Sequence, residues 1–192
     1  MIPIEKSDLI RESIKDPGTQ MYILANGETY LNSLSELVEN LVMGEKRKGL
    51  FLSTIWSANA LSRRLSLSKL PKGSLKIIDT YSMNLGSSYK DREDFIFLAT
   101  PVPLEMILAE IERLVSKKEG QFSFLIVDSL TTMKREYSPG QISEFFKYIL
   151  SRTLEEEMKI VVFDQDPDSV SGVYRQVSST MDGVLDLRDG GD

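Results

Sequence analysis

Phe124-Leu125-Ile126-Val127-Asp128-Ser129-Leu130-Thr131-Thr132 is the stretch that decides the fold of this chain. Its apolar residues run on without the alternation of a half-exposed strand, so the segment reads as a β-strand covered on both faces. The run stops at a carboxylate, Asp128, followed by hydroxyl residues suited to a turn. A strand covered on both sides implies a parallel sheet between two layers of helices.

The flanking sequence repeats that logic. Downstream, Ile142, Phe145, Phe146, Ile149 and Leu150 keep a helical period, Lys159 to Phe163 is a strand, Val170, Val173, Tyr174 and Val177 mark a shorter helix, and Val184 to Leu187 closes the chain as a last strand or edge. Upstream, Pro101 and Pro103 open a helix carrying Leu104, Ile107, Leu108, Ile111, Leu114 and Val115 up to Gly120. Strands are expected at Met21 to Ala25, Leu50 to Thr54, Leu75 to Asp79 and Phe95 to Leu98, the last after an irregular stretch from Tyr81 to Glu93. Ala58, Leu61 and Leu65 mark a helix ending before Pro71-Lys72-Gly73. Between the first two strands, a polar turn from Asn26 to Tyr30 leads to a helix on Leu31, Leu34, Leu37, Val38, Leu41 and Val42, with Ser33 and Glu36 as a capping box and Gly44 at its end. A first helix has Ser7 as N-cap, Leu9, Ile10 and Ile14 on one face, and Asp16-Pro17-Gly18 as its stop. The expectation is a single α/β domain over residues 1–192, three-layered, with a mostly parallel central sheet and helices on both faces; no repeat or linker divides it.

Composition narrows the chemistry. The 192 residues carry 41% hydrophobic and 27% charged side chains, the profile of a folded globular chain. Cysteine and histidine are both absent, which removes disulfides, thiolate and imidazole metal ligands, thiolate nucleophiles and histidine bases. The net charge of −6 opposes the phosphate backbone on which nucleic-acid affinity rests, so no nucleic-acid partner is expected. Lys46, Arg47 and Lys48 read as a solvated turn after a helix. No run approaches membrane-spanning length and the first residues form no apolar secretory segment, so the expected location is the cytoplasm.

Ligands of open parallel sheets bind beyond the carboxyl ends of the strands. A phosphate-binding loop after the first strand would read G-x-x-x-x-G-K-[ST], whose glycines let N–H groups wrap the phosphates while lysine reaches the outer ones. Here the residues are Gly27-Glu28-Thr29-Tyr30-Leu31-Asn32-Ser33-Leu34. With Gly27 in the first motif position, Asn32 replaces the second glycine, Ser33 the lysine and Leu34 the magnesium-binding hydroxyl. Glu28 adds a negative charge that opposes a polyphosphate. Gly27, Glu28, Thr29, Tyr30, Asn32, Ser33 and Asp128 form the candidate remnant nucleotide site. No catalytic residue and no metal ligand is assigned.

Residues 124–132 resemble the Walker B segment of KaiC- and RadA-type members of the RecA superfamily, where an apolar strand runs into Asp-Ser. Gly49 to Thr54, the helix around Ile142 to Leu154, the strand Lys159 to Phe163 and the ending Met181-Asp182-Gly183-Val184-Leu185-Asp186-Leu187 are similar to the same families. The resemblance covers most of residues 18–188 in order and spacing, and is strongest to archaeal KaiC-like proteins with a decayed phosphate loop. It implies a RecA-like P-loop NTPase fold and self-association, since relatives form rings or filaments, with Arg63, Arg64, Arg135 and Arg175 as candidate trans-acting fingers. Relatives carry a catalytic glutamate after the second core strand; Thr54-Ile55-Trp56-Ser57 has no carboxylate. Asp128 then reads as a structural remnant capping a turn.

Other constellations have plainer readings. Asp164, Asp166 and Asp168 lack the glycine and distant glutamate of a calcium loop and read as a solvated turn. Ser129, Thr131 and Thr132 lack a base, and Trp56 reads as a core rim. The expected function is a non-catalytic RecA/KaiC-like module, a pseudo-ATPase acting through protein contacts or homo-oligomerisation, with no cofactor. The alternatives are a nucleotide-binding, weakly hydrolysing ATPase using ATP with magnesium, and a sensor of a small anion or metabolite at the carboxyl edge of the sheet.

Overall fold

A computed structural model of the chain describes residues 6–85, 93–99, 101–116, 122–165 and 171–188. Seven strands, β1 (Gln20–Leu24), β2 (Lys48–Ser53), β3 (Leu75–Asp79), β4 (Phe95–Phe97), β5 (Phe122–Asp128), β6 (Lys159–Asp164) and β7 (Gly183–Asp186), form one sheet. Their order is β4-β3-β2-β5-β6-β1-β7 and each neighbouring pair is parallel. The helices are α1 (Lys6–Ser13), α2 (Gly27–Glu39), α3 (Ala58–Arg64), α4 (Leu104–Val115), α5 (Leu130–Met133), α6 (Pro139–Glu155) and α7 (Ser171–Ser178).

The period-2 geometry of the strands splits the core into two layers. Tyr22, Leu50, Leu52, Leu125, Val127, Ile160 and Val162 face α4, α6 and α7. Met21, Ile23, Phe51, Phe124, Ile126, Val161 and Phe163 face α1, α2 and α3. The unbroken apolar run of β5 is thus explained, since successive side chains enter opposite cores. Gly49 serves this packing: a Cβ there would lie 2.0 Å from the Phe124 ring.

Local signals decide most boundaries. In α6, Ser138 and Gln141 form a reciprocal capping box with Pro139 in the first turn. Two expectations about caps are corrected. Ser7 lies inside α1 rather than at its N-cap, and Leu9 is partly exposed while Ile10 and Ile14 are buried. Ser33 is buried in the middle of α2 and caps nothing, because that helix begins six residues earlier with Asn26 as N-cap. The polar turn expected at Asn26 to Tyr30 is therefore the helix's first turn. Gly44 does end the segment, through a π turn over Asn40–Gly44. Gly120, Asp166, Asp168, Val170 and most of the irregular stretch before Glu93 lie outside the described residues. Among the described residues no helix is long and apolar enough to cross a membrane.

Candidate functional site

The register of the parallel strands brings three buried aspartates to the carboxyl edge, with an exposed fourth, Asp186, at the end of β7. Asp79 ends β3, Asp128 ends β5 beside Ser53, and Asp164 ends β6 beside Leu24 of β1. All three are fully buried. Burying an ionised carboxylate is costly unless donors surround it, so their partners decide what this edge can do.

Asp79 is fully engaged. Its oxygens accept from the backbone N–H groups of Ala58, Tyr81 and Ser82 at 2.7–2.8 Å and from Ser82 Oγ at 2.6 Å, fixing the start of α3. Asp164 accepts from Tyr22 Oη at 2.5 Å, Thr131 N at 3.1 Å and Gln165 N at 3.0 Å. Burial still pushes its pKa up against those bonds. Asp164 is therefore no solvated turn; it ties β6, β1 and α5 together from inside.

Asp128 is the least satisfied of the three. Tyr30 Oη donates to its Oδ1, while Oδ2 is buried with no hydrogen-bond partner. Desolvation, with the Asp164 charge second, holds its pKa well above the ordinary carboxylate range. Its side chain caps no turn, contrary to expectation. The turn is held instead by a hydroxyl network: Thr54 Oγ1 donates to Asp128 O at 2.7 Å, accepts from Ser129 N at 2.8 Å and meets Thr132 Oγ1, while Ser129 Oγ caps α5. Ser129 and Thr132 thereby serve a turn.

Tyr30 is not the exposed aromatic of a loop. It is buried, its ring packs edge-on against Phe163 at 4.9 Å, and its hydroxyl reaches beneath the first turn of α2 to Asp128. Only Ala25 and Asn26 separate β1 from α2. Gly27, at φ +51°, turns the chain sharply into the helix with a backbone that other residues adopt poorly. The structure thus brings Tyr30 and Asp128 together but separates the other site residues from them. Thr29, Asn32 and Ser33 line a surface groove of about 230 Å³ beside Lys6, Ser7 and Glu36. Nothing is described of the Glu28 side chain. At the carboxyl edge, the cavity among Thr54, Thr80, Thr132 and Tyr137 measures about 10 Å³, the room of one water.

Trp56 lies half-buried at the core rim as expected, with the Arg64 guanidinium 4.4 Å from its ring centre. Lys46 and Arg47 lead into β2, which begins at Lys48, and Arg47 pairs with Glu45 at 2.6 Å. Sequence reasoning missed Tyr22 and the role of Asp164. Their signal was present: Leu75–Asp79, Phe122–Asp128 and Lys159–Asp164 all end in aspartate, and tyrosines occur in β1 and just after it.

A family model matches residues 25–192, which include Tyr30, Asp79, Asp128 and Asp164. The chain belongs to DUF7090, a family of unknown function. A search of curated proteins finds no match. Among solved structures, this DUF7090 chain is similar to the KaiC-like protein PH0186 of the hyperthermophilic archaeon Pyrococcus horikoshii OT3, with a TM-score of 0.63 and 15% sequence identity over 93% of this chain and 76% of that one. At that identity the likeness shows the fold alone: this DUF7090 chain is a RecA-like α/β domain.

Proposed function

We propose that this domain is a non-catalytic RecA/KaiC-like module that works through protein contacts, in a regulatory or scaffolding role. The observation that carries the reading is the Tyr30–Asp128 hydrogen bond, which places a buried aromatic ring between the start of α2 and the end of β5. In a phosphate-binding version of this fold that space holds the cradle and the hydrated metal.

A magnesium nucleotide fits these residues poorly. The helix GETYLNSLSELVE contains no lysine or arginine to neutralise phosphate. Two residues between β1 and α2 are too few to wrap a triphosphate in backbone N–H groups. Asp128 is sealed from solvent and favours its protonated form, whereas a carboxylate that orients hydrated magnesium must be ionised. The residues after β2 add no carboxylate to polarise a water. Contact with other proteins is supported by partly exposed large apolar side chains on the outer helices, Met106 of α4 and Tyr148 and Leu154 of α6.

The test is the thermal midpoint of the protein with and without millimolar Mg-ATP, Mg-ADP and Mg-GTP, because a ligand of the native state raises stability as RT ln(1 + [L]/Kd). The expected outcome is no shift. A rise of several degrees that disappears in Gly27→Asp would overturn the reading in favour of a nucleotide-binding ATPase.

A further inference from the structure

A groove of about 250 Å³ lies between α4 and α6, two helices of one covering layer. Leu104 and Phe145, both buried, Leu108, partly buried, and Tyr148, 47% exposed, give it an apolar lining. The Tyr148 ring is held in place, since its hydroxyl donates to Glu112 at 2.8 Å and Arg152 Nε donates to the same carboxylate at 3.0 Å. An exposed aromatic ring fixed in this way offers contact area at little entropic cost on binding. The groove is smaller than the roughly 300–1,000 Å³ of small-molecule sites, and suits a side chain presented by another protein.

Its charged lining residues are Glu105 and Glu144, one from each helix and both exposed. Neither makes an ion pair among the described residues, whereas Glu110 and Glu112 of α4 pair with Arg113 and Arg152. Where the two carboxylates point matters little, because exposed charges act over a screening length of about 8 Å at physiological salt. Two uncompensated negative charges flanking an apolar groove turn away acidic partners and favour a cation. A long basic side chain meets both demands, its methylene stem lying along apolar surface while its charged head stays in water beside the carboxylates. Stacking of a planar guanidinium on tyrosine favours arginine over lysine.

Building on the protein-contact function proposed above, we infer that this groove docks an arginine flanked by apolar residues on a segment of a partner protein. The arginine stem packs on Leu104, Leu108 and Phe145, and its guanidinium lies over Tyr148 in the field of Glu105 and Glu144.

The test is NMR titration of the isotope-labelled full chain with the blocked tripeptides Leu-Arg-Leu, Leu-Gln-Leu, Leu-Glu-Leu and Gly-Arg-Gly. The expected result is saturable shifts of α4 and α6 amides around Leu108 and Tyr148 with Leu-Arg-Leu. Its affinity should exceed that of Leu-Gln-Leu about fivefold, the scale of two exposed ion pairs, with the other two peptides weaker still. The double variant Glu105→Gln with Glu144→Gln is expected to bring Leu-Arg-Leu down to the affinity of Leu-Gln-Leu. The inference is overturned if Leu-Arg-Leu gives no saturable shifts at millimolar concentration, if the shifts fall outside α4 and α6, if Leu-Glu-Leu binds as well, or if the folded double variant binds Leu-Arg-Leu undiminished. Should that variant fail to fold, the peptide series on the unaltered chain decides alone. A thermal shift with Mg-nucleotide would overturn the non-catalytic function without moving these amides, and a silent peptide series with no nucleotide response would overturn the groove alone.

Discussion

At the carboxyl edge of the sheet, Asp128 is sealed under Tyr30, receives one hydrogen bond and is driven toward its protonated form. At the amino edge, Asp94 lines a pocket of about 430 Å³, although its Oδ1, which has no hydrogen-bond partner, is itself buried. The difference lies in burial. Full burial drives Asp128 toward its protonated form, whereas Asp94 is only partly buried and lies beside open space. In this chain the carboxyl end of the sheet buries Asp79, Asp128 and Asp164, and the amino end borders a concave surface.

The comparison breaks most readily at Tyr30. Tyr30→Ala removes a buried ring that packs on Phe163 and leaves Asp128 without a donor. The expected cost is about 3–5 kcal/mol, read from urea unfolding. A loss under about 1 kcal/mol would mean that Tyr30 does not seal this edge.

Asp128→Asn sharpens it through pH. Because the folded pKa of Asp128 is raised, the folded state keeps its proton while the unfolded chain releases it as pH climbs past the ordinary Asp value of about 4. The Asp128 contribution is complete below that pH and is lost progressively as pH rises toward the folded pKa. The variant has no such proton, so its urea midpoint should fall less than that of the unaltered chain between about pH 4 and pH 8. Asp164, whose pKa is also raised, leaves part of the slope in both proteins. Parallel pH profiles would show that Asp128 is ionised in the native state.

The smallest effect is expected at the amino edge. Asp94→Asn should change unfolding stability by no more than about 0.5 kcal/mol, since Asp94 Oδ1 receives no hydrogen bond to lose. A loss near that of Tyr30→Ala would mark Asp94 as a structural residue and remove the contrast between the two edges.

Much of the layering was readable because it rests on periodicity. The uninterrupted apolar run of β5, the helical stripe of α4 and the strand-helix alternation each repeat one burial pattern over several residues, and each element appears where expected to within a few positions. Caps were less readable. Ser33-x-x-Glu36 has the letters of a capping box, yet it sits inside α2, because the helix begins at Gly27. A capping motif is a local preference of about 1 kcal/mol, and the buried stripe of the helix outweighs it.

By itself the sequence determined the α/β class, the two-sided core, and the absence of thiol and imidazole chemistry and of a lysine in α2, since these follow from residue type and spacing alone. Only the tertiary structure decided that Tyr30 turns inward onto Asp128, that Asp164 is buried against Tyr22, and that Asp94 lines a pocket. Those pairings join residues 98 and 142 positions apart, or depend on two turns meeting at one end of the sheet. Sequence spacing carries no distance across a sheet; strand order and register supply it.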